Sequence, residues 1–413
     1  MVLNQAHPPA APIVPLRPRR QMTGVRTATD GPVRVAVIGS TGSVGVQALD
    51  VLAQMPERFS VSALIAHSRL TDLNEQIRQH RPNLVGIDHG RDGIEIGHSA
   101  QVELMSSGAA MMAAATDPDT DILIVASSGH AAIEPTLAAL RAGKIVALAN
   151  KEAIVCAGPL VVAAVREGNG EVRPVDSEHS AIWQCLGQSD GRDIRRLILT
   201  ASGGPFRTST LAEMRDVTAA QALAHPTWTM GGKITIDSAT LINKGLELIE
   251  ARWLFGVEPD QLDVVVHPES IIHSLVEFAD ASQIAQLSLP DMRLPIQFAL
   301  SYPDHVPSPC RTLSLADIGS LTFEWPDTER FPALRLASDV MRAGNTFPTV
   351  LSAVDEVAVH AFLAGRLSFI GITDAISAIL DQHQTVGELN IESILAADVW
   401  ARQQADTWIA ARS

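Results

Sequence analysis

The chain has only three cysteines, Cys156, Cys185 and Cys310, widely spaced and with no Cys-x-x-Cys pair. A disulfide framework or a thiolate zinc site cannot be drawn from them, which fits a chain kept in a reducing cytosol. No apolar run approaches the ~18 residues of a membrane span, which argues against insertion in a bilayer. Net positive charge is also missing. The 31 Lys+Arg against 46 Asp+Glu leave −15 at pH 7, whereas general nucleic-acid binding needs a basic surface that displaces counterions. An anionic substrate would therefore have to meet locally placed cations or a metal. Internal repeats are absent. The first thirty residues contain no serine and no secretory apolar core, so neither a Ser-rich transit peptide nor a secretory signal is read there. Their prolines (Pro8, Pro9, Pro12, Pro15, Pro18) and arginines (Arg17, Arg19, Arg20, Arg26) predict a disordered tail over 1–30.

What is present describes a globular chain of 413 residues, 46% hydrophobic and 19% charged, long enough for two or three domains. Val33–Ile38 is a β-branched run ending in Gly39-Ser-Thr-Gly42-Ser-Val-Gly45, followed by the helical spacing Val46, Leu49, Leu52. Strand, glycine turn and helix in this order let a backbone approach a pyrophosphate held by the helix amino terminus. The spacing G-x-x-G-x-x-G departs from the commoner G-x-G-x-x-G, and a tight structural turn is the competing reading. The next strand, Val61–Ala66, ends at His67-Ser68-Arg69. An NAD-binding chain usually places an acid there. A hydroxyl and a guanidinium suit a 2′-phosphate instead, and NADP is favoured, with a plain surface arginine as the alternative. Further apolar runs at 83–88, 122–126 and 145–149, alternating with helical stretches, predict a parallel, doubly wound sheet.

Pro174-Val-Asp176-Ser177-Glu178-His179-Ser-Ala181 is the acid-rich centre of the chain. In an extended segment, residues two apart point to one side, so Asp176 and Glu178 converge on a hard divalent cation at a strand's carboxyl end. An isolated Asp-x-Glu could equally be a solvated turn. Lys151, directly after a strand, is placed to contact a substrate oxygen or to be solvated. Ser202-Gly-Gly-Pro-Phe206 is either an anion-binding loop or an ordinary turn. The stretch 222–233, with His225-Pro-Thr-Trp228-Thr-Met-Gly231-Gly, reads as a mobile lid or as a structural loop with a buried Trp. A helix is expected over 239–255, its apolar stripe at Ile242, Leu246, Ile249 and Trp253, with Asn243, Lys244 and Glu247 on another face that is either a functional amide, ammonium and carboxylate group or a solvated charged face. Gly245 in mid-helix costs about 1 kcal/mol relative to Ala, which implies a close approach there. Runs at 264–268, 274–278 and 284–288 predict a second sheet, in which His267 and His273 are lone histidines read as structural, with a ligand role as the alternative. From 331 onward the apolar spacing is helical and predicts a bundle.

Taken together, Gly39-Ser-Thr-Gly-Ser-Val, Ala149-Asn-Lys-Glu152, Pro174–His179, Thr200–Arg207, His225–Gly231, Asn243–Ala251, His267–Ser274 and Pro290–Arg293 closely resemble the 1-deoxy-D-xylulose 5-phosphate reductoisomerase family over about 33–410. The resemblance implies an α/β chain with an N-terminal Rossmann-like doubly wound parallel sheet, a central α+β catalytic domain and a C-terminal helical bundle. Its divisions would be a tail (1–30), an NADPH-binding domain (31–175), a catalytic domain with metal site and lid (176–315), a linker (316–330) and a helical domain (331–413). It implies a cytoplasmic homodimer that rearranges and reduces 1-deoxy-D-xylulose 5-phosphate to 2-C-methyl-D-erythritol 4-phosphate with NADPH and Mg²⁺ or Mn²⁺. Asp176, Glu178 and Glu247 would hold the metal. Lys151 and Ser177 would contact the hydroxyketone end of the substrate, and Ser202, Ser238, Asn243 and Lys244 its phosphate. His225 and Trp228 would act on the substrate from the lid, with Lys151, His225 and the three acids as the catalytic set. Thr41, Gly42, Ser43, Val44, Asn150, Glu152 and Gly231 would bind the cofactor, together with Ser68 and Arg69. The chain departs from the family's pattern at His67, at Ser127–His130, and at Ser352–Glu356, where the family usually has Asn-Ala-Ala-Asn-Glu. An NADP-dependent oxidoreductase without isomerisation would have no use for three acids, and a non-catalytic dinucleotide sensor would not need the full residue set.

Overall fold

The computed structural model describes residues 12–16, 31–95, 102–187, 193–228, 230–385 and 387–412. The chain forms two compact units. One is Val14–Trp183 with Asp291–Arg311; the other is Met1–Ile13, Gln184–Pro290 and Thr312–Ser413. Most of the expected tail lies outside the described residues, but residues 12–16 lie within them and are packed. Ile13 and Val14 are buried, the Ile13 N–H donates to the Leu254 carbonyl at 3.0 Å, and the Trp183 indole donates to the Pro15 carbonyl at 2.8 Å.

The first unit is built on β1 (Val33–Ile38), β2 (Phe59–Ile65), β3 (Leu84–Gly86), β4 (Glu103–Met105), β5 (Ile122–Val125), β6 (Ile145–Leu148) and β7 (Glu171–Pro174). Their order is β4-β3-β2-β1-β5-β6-β7 and every pairing is parallel. The chain order reverses between β1 and β5, the crevice where doubly wound sheets take ligands. Strands β5 and β6 are buried along their whole length, as continuous apolar runs in a two-sided sheet should be. The edge strand β7 also buries charge. Arg173 pairs with Glu171 at 2.5 Å and donates to the Ala299 carbonyl at 2.8 Å, so the helix Arg293–Ser301 completes this edge. That excursion also packs Phe298 and Tyr302 on Trp183, at ring separations of 4.8 and 4.5 Å.

The second unit carries a sheet of β8 (Ile194–Ala201), β9 (Leu262–Val266), β10 (Ile272–Phe278) and β11 (Gln283–Leu287) in the order β11-β10-β8-β9. Here β10 runs antiparallel to both its neighbours and β8 parallel to β9. The helices Ala333–Ala343, Phe347–Leu363, Phe369–Leu380 and Ile391–Ala410 form the expected bundle. Its boundaries are set by local chemistry: Ser368 and Asn390 accept from the N–H groups of Gly371 and Ser393, satisfying donors that the first turn leaves open.

The single helix expected over 239–255 is two helices, Gly232–Thr240 and Ile242–Phe255, separated at Leu241 with φ +62°. A left-handed leucine costs roughly 1–2 kcal/mol. Burial of its side chain offsets that cost, and the Thr240 hydroxyl bonds back to the Ile236 and Asp237 carbonyls, competing with helix continuation. Gly245 meets the expected close approach. A Cβ there would lie 2.8 Å from Ala337 Cβ, so the glycine admits the Ala333–Ala343 helix.

Candidate functional site

In the first unit, the glycine turn caps β1 at the switch point. A Cβ on Gly39, at φ +80°, would fall 2.6 Å from the Ser127 nitrogen, and one on Gly45 would fall 2.2 Å from the Gly39 carbonyl. Both glycines are therefore fixed by backbone crowding, and the turn lies directly against the loop after β5. Gly42 is the N-cap of the Ser43–Ala53 helix and makes no side-chain cap bond, so Thr41, Gly42, Ser43 and Val44 stand at a helix amino terminus suited to phosphate. Arg69 follows β2 and donates to the Thr41 carbonyl at 2.9 Å, while Ser68 is exposed beside it. One guanidinium nitrogen is thus committed to holding the turn.

Asn150 sits between β6 and the Lys151–Val155 helix. Its Oδ1 accepts from the Ala153 N–H at 2.7 Å, and its Nδ2 donates to the Ser127 and Gly129 carbonyls at 2.8 and 3.0 Å. The amide therefore fastens the loop after β5 to the loop after β6, and Glu152 follows it, half-buried in the helix's first turn. The next side chain, Lys151, lays its ammonium on the Asp176 carboxylate.

Asp176 and Glu178 do not share an extended segment. The strand stops at Pro174, and Ser177–Leu186 is a helix whose Ser180 N–H donates to the Asp176 carbonyl at 2.8 Å. Glu178 is thus in the first turn, where the macrodipole favours an acid, and Ser177 Oγ donates to Glu178 Oε2 at 2.7 Å. The two acids leave a strand end and a helix start rather than one pleated face. Buried behind them, His179 has Nδ1 at 3.9 Å from Asp176 Oδ2, beyond a hydrogen bond. Sequence reasoning gave His179 no role.

In the second unit, the loop after β8 and the Gly232–Thr240 helix are in contact. A Cβ on Gly204, at φ +65°, would lie 2.8 Å from Ala239 Cα, so only glycine lets this loop bring Ser202 to Ser238. Between the two hydroxyls stands His225, with Nε2 at 3.0 Å from Ser202 Oγ and 3.2 Å from Ser238 Oγ. Its Nδ1 accepts the N–H groups of Thr227 and Trp228 at 3.1 and 2.9 Å. The ring's proton is therefore on Nε2, and burial lowers the ring's pKa and keeps it neutral. Trp228 is half-buried, 6.3 Å from the His273 ring, and Gly231 is the N-cap of the helix that follows.

The break at Leu241 gives the Ile242–Phe255 helix its own amino terminus, with Asn243 and Lys244 in the first turn. These residues are not a solvated face. Lys244 and Glu247 are 4% and 1% exposed and paired at 2.5 Å, and Asn243 Nδ2 donates to Glu247 Oε1. In each unit a lysine meets an acid, Lys151 on Asp176 and Lys244 on Glu247, and carboxylate oxygens are the ligand type a hard divalent cation takes. His267 is structural as expected, Nδ1 facing the Thr322 carbonyl at 2.9 Å and Nε2 accepting from Ile271 at 3.1 Å. Lys233, bonded to Asp237 and Asp355, escaped sequence reasoning because its second partner is 122 residues away.

The family pattern described as 1-deoxy-D-xylulose 5-phosphate reductoisomerase matches residues 35–158, that of the reductoisomerase C-terminal domain matches 172–255, and that described as the DXP reductoisomerase C-terminal domain matches 287–404. The 1-deoxy-D-xylulose 5-phosphate reductoisomerase of Thermomicrobium roseum is 54% identical over 374 residues, 90% of this chain and 96% of the relative. That of Gloeobacter violaceus is 45% identical over 384 residues, 92% and 98% respectively. Among solved structures, the Zymomonas mobilis reductoisomerase in complex with NADPH aligns with TM-score 0.85 at 40% identity, covering 92% of this chain and 98% of that one. A DOX-P reductoisomerase in complex with NADPH, fosmidomycin and magnesium aligns with TM-score 0.86 at 36% identity over the same shares.

Proposed function

The chain belongs to the 1-deoxy-D-xylulose 5-phosphate reductoisomerase family, and from that footing we propose that it converts 1-deoxy-D-xylulose 5-phosphate to 2-C-methyl-D-erythritol 4-phosphate with NADPH and a divalent metal. The observation that carries this reading is the acid–lysine group after β7, Asp176, Ser177 and Glu178 with Lys151, at the carboxyl edge of a dinucleotide-type sheet. Relatives solved with NADPH and with magnesium support the choice of cofactors.

In this proposal Asp176, Glu178 and Glu247 hold Mg²⁺ or Mn²⁺, which supplies Lewis-acid polarisation of the substrate's hydroxyl and carbonyl oxygens. NADPH supplies the hydride. Lys151 and Ser177 orient the hydroxyketone end. Ser202, Ser238, Asn243 and Lys244 hold the phosphate, whose binding energy fixes the reacting end without being altered by the reaction. The neutral His225 ring, its Nε2–H between the two serine hydroxyls, sets their direction and leaves their protons for the anion. Trp228 covers the substrate and excludes water. Thr41, Gly42, Ser43 and Val44 receive the pyrophosphate, Ser68 and Arg69 the 2′-phosphate, and Asn150, Glu152 and Gly231 border the cofactor. A coupled assay of NADPH oxidation with deoxyxylulose phosphate, with and without chelator, tests the whole reading.

The finer assignments rest on further observations. No helix among the described residues is long and apolar enough to cross a membrane, and the three cysteines are unpaired, which supports a cytoplasmic location. A homodimer is supported by an apolar face on the second sheet, where Trp325 is 79% and Phe323 47% exposed beside Val264 and Leu275, an exposure best relieved by a second copy. Equilibrium sedimentation giving twice the chain mass, lost in Trp325→Glu, is the expected result; a monomeric wild-type protein contradicts it.

A further inference from the structure

Lys233 lies one residue past the start of the Gly232–Thr240 helix, directly after the loop that carries His225 and Trp228. Its ammonium is 2.6 Å from Asp237 Oδ2 and 2.5 Å from Asp355 Oδ2. The two carboxylates are 2% and 0% exposed, so the lysine is what makes their burial tolerable. Although burial opposes it, the charges of Asp237 and then Asp355 raise the lysine's pKa and keep it charged. Burial pushes the Asp355 carboxyl up, against the pull of Lys233.

The consequence runs through Asp237. It precedes Ser238, whose hydroxyl meets His225 Nε2, and Asp355 belongs to the middle of the Phe347–Leu363 helix. The lysine therefore fastens the helix that presents Ser238 to the bundle. At the same end, Thr235 Oγ1 donates to the Gly231 carbonyl at 2.8 Å, so the carboxyl end of the 225–231 loop is held by the same turn. We infer that Lys233 is a positioning residue for the anion pocket: clamped between Asp237 and Asp355, it fixes Ser238, and through Ser238 the His225 ring. It touches neither substrate nor cofactor in this account, and the inference rests on the reading of Ser202, Ser238, Asn243 and Lys244 as a phosphate pocket.

The test compares Lys233→Met, Lys233→Arg and Asp355→Ala with wild type by steady-state kinetics, inhibition by inorganic phosphate, and amide hydrogen exchange. Lys233→Met should raise the substrate KM and the phosphate inhibition constant together by about tenfold or more, the scale of one lost charge-assisted contact. The KM for NADPH should change much less, since only Gly231 of the cofactor residues adjoins this helix, and exchange should quicken in the Gly232–Thr240 helix. Lys233→Arg should recover most of the loss. Asp355→Ala keeps the Lys233–Asp237 pair and so keeps the fold. It should move the same constants in the same direction, and it decides the matter if Lys233→Met does not fold. Unchanged phosphate inhibition in a folded variant, or an equal rise in the KM for NADPH, overturns the inference. If the wild-type enzyme does not turn over deoxyxylulose phosphate, the functional reading has failed instead. Inorganic-phosphate binding by calorimetry and the exchange experiment then still judge Lys233.

Discussion

Replacing Glu247 by Gln probes two roles of one side chain. The Lys244–Glu247 pair is almost fully buried, so the substitution leaves an ammonium in a dry site without its counter-charge. Breaking a buried pair from one side costs about 3–5 kcal/mol, and a loss in that range should appear in denaturant unfolding of the metal-free protein. Adding Lys244→Met removes both charges and should recover most of the stability, because a neutral, well-packed pair carries no desolvation penalty. Activity should not follow stability. Glu247→Gln is expected to depress kcat strongly and to raise the metal concentration needed for half-maximal rate, and the double variant should remain as inactive. A folded Glu247→Gln enzyme with unaltered metal dependence would show that this helix does not supply a metal ligand. A stability loss below about 1 kcal/mol, the range of exposed pairs, would contradict the buried-pair argument itself.

Three further outcomes follow from the site. Lys244→Ala should appear largely as a raised substrate KM, by about 1.5–3 kcal/mol of lost charge-assisted contact; steady-state kinetics with an unchanged KM would remove Lys244 from the phosphate pocket. Arg69→Ala should lower the ratio of NADPH to NADH efficiency and, by freeing the Thr41 carbonyl, weaken both cofactors somewhat; an unchanged ratio would sink the 2′-phosphate assignment. His225 has a pKa lowered by burial, so the unfolded chain takes up a proton first and stability is lost as pH falls below the unfolded value of about 6.5. The wild type should therefore lose more stability than His225→Gln between about pH 6.5 and 5, and equal slopes in the two unfolding series would refute the buried neutral ring.

How much was legible depended on whether the signal was local. Strand β1 and its glycine turn could be read because a β-branched run, close glycines and a helical spacing stand within twenty residues of one another. The edge strand β4, three residues of which Glu103 is exposed and the other two half-buried, offers no periodicity to read. The two-helix break had no Gly or Pro at Leu241; the Thr240 hydroxyl bonds locally, to carbonyls three and four residues back, which is no stop signal by itself, and the burial that offsets the left-handed Leu241 depends on tertiary context. The Asp176–Glu178 spacing was read at a strand's carboxyl end, where β7 indeed stops at Pro174, but on the wrong backbone, because the chain enters a helix at Ser177. Asn243, Lys244 and Glu247 were visible as one helical face, yet composition alone could not tell solvated charges from a buried pair. The Lys233–Asp355 contact joins residues that share no pattern at all.

The most direct measurement is the rate of NADPH oxidation by the purified protein, with deoxyxylulose phosphate present or absent and with a chelator added and then overcome by Mg²⁺ or Mn²⁺. The account predicts oxidation that requires the sugar phosphate, stops with the chelator and returns with either metal, with methylerythritol phosphate as the product. Oxidation that persists with all divalent metal removed, or a protein that binds NADPH yet never consumes the sugar phosphate, would contradict it.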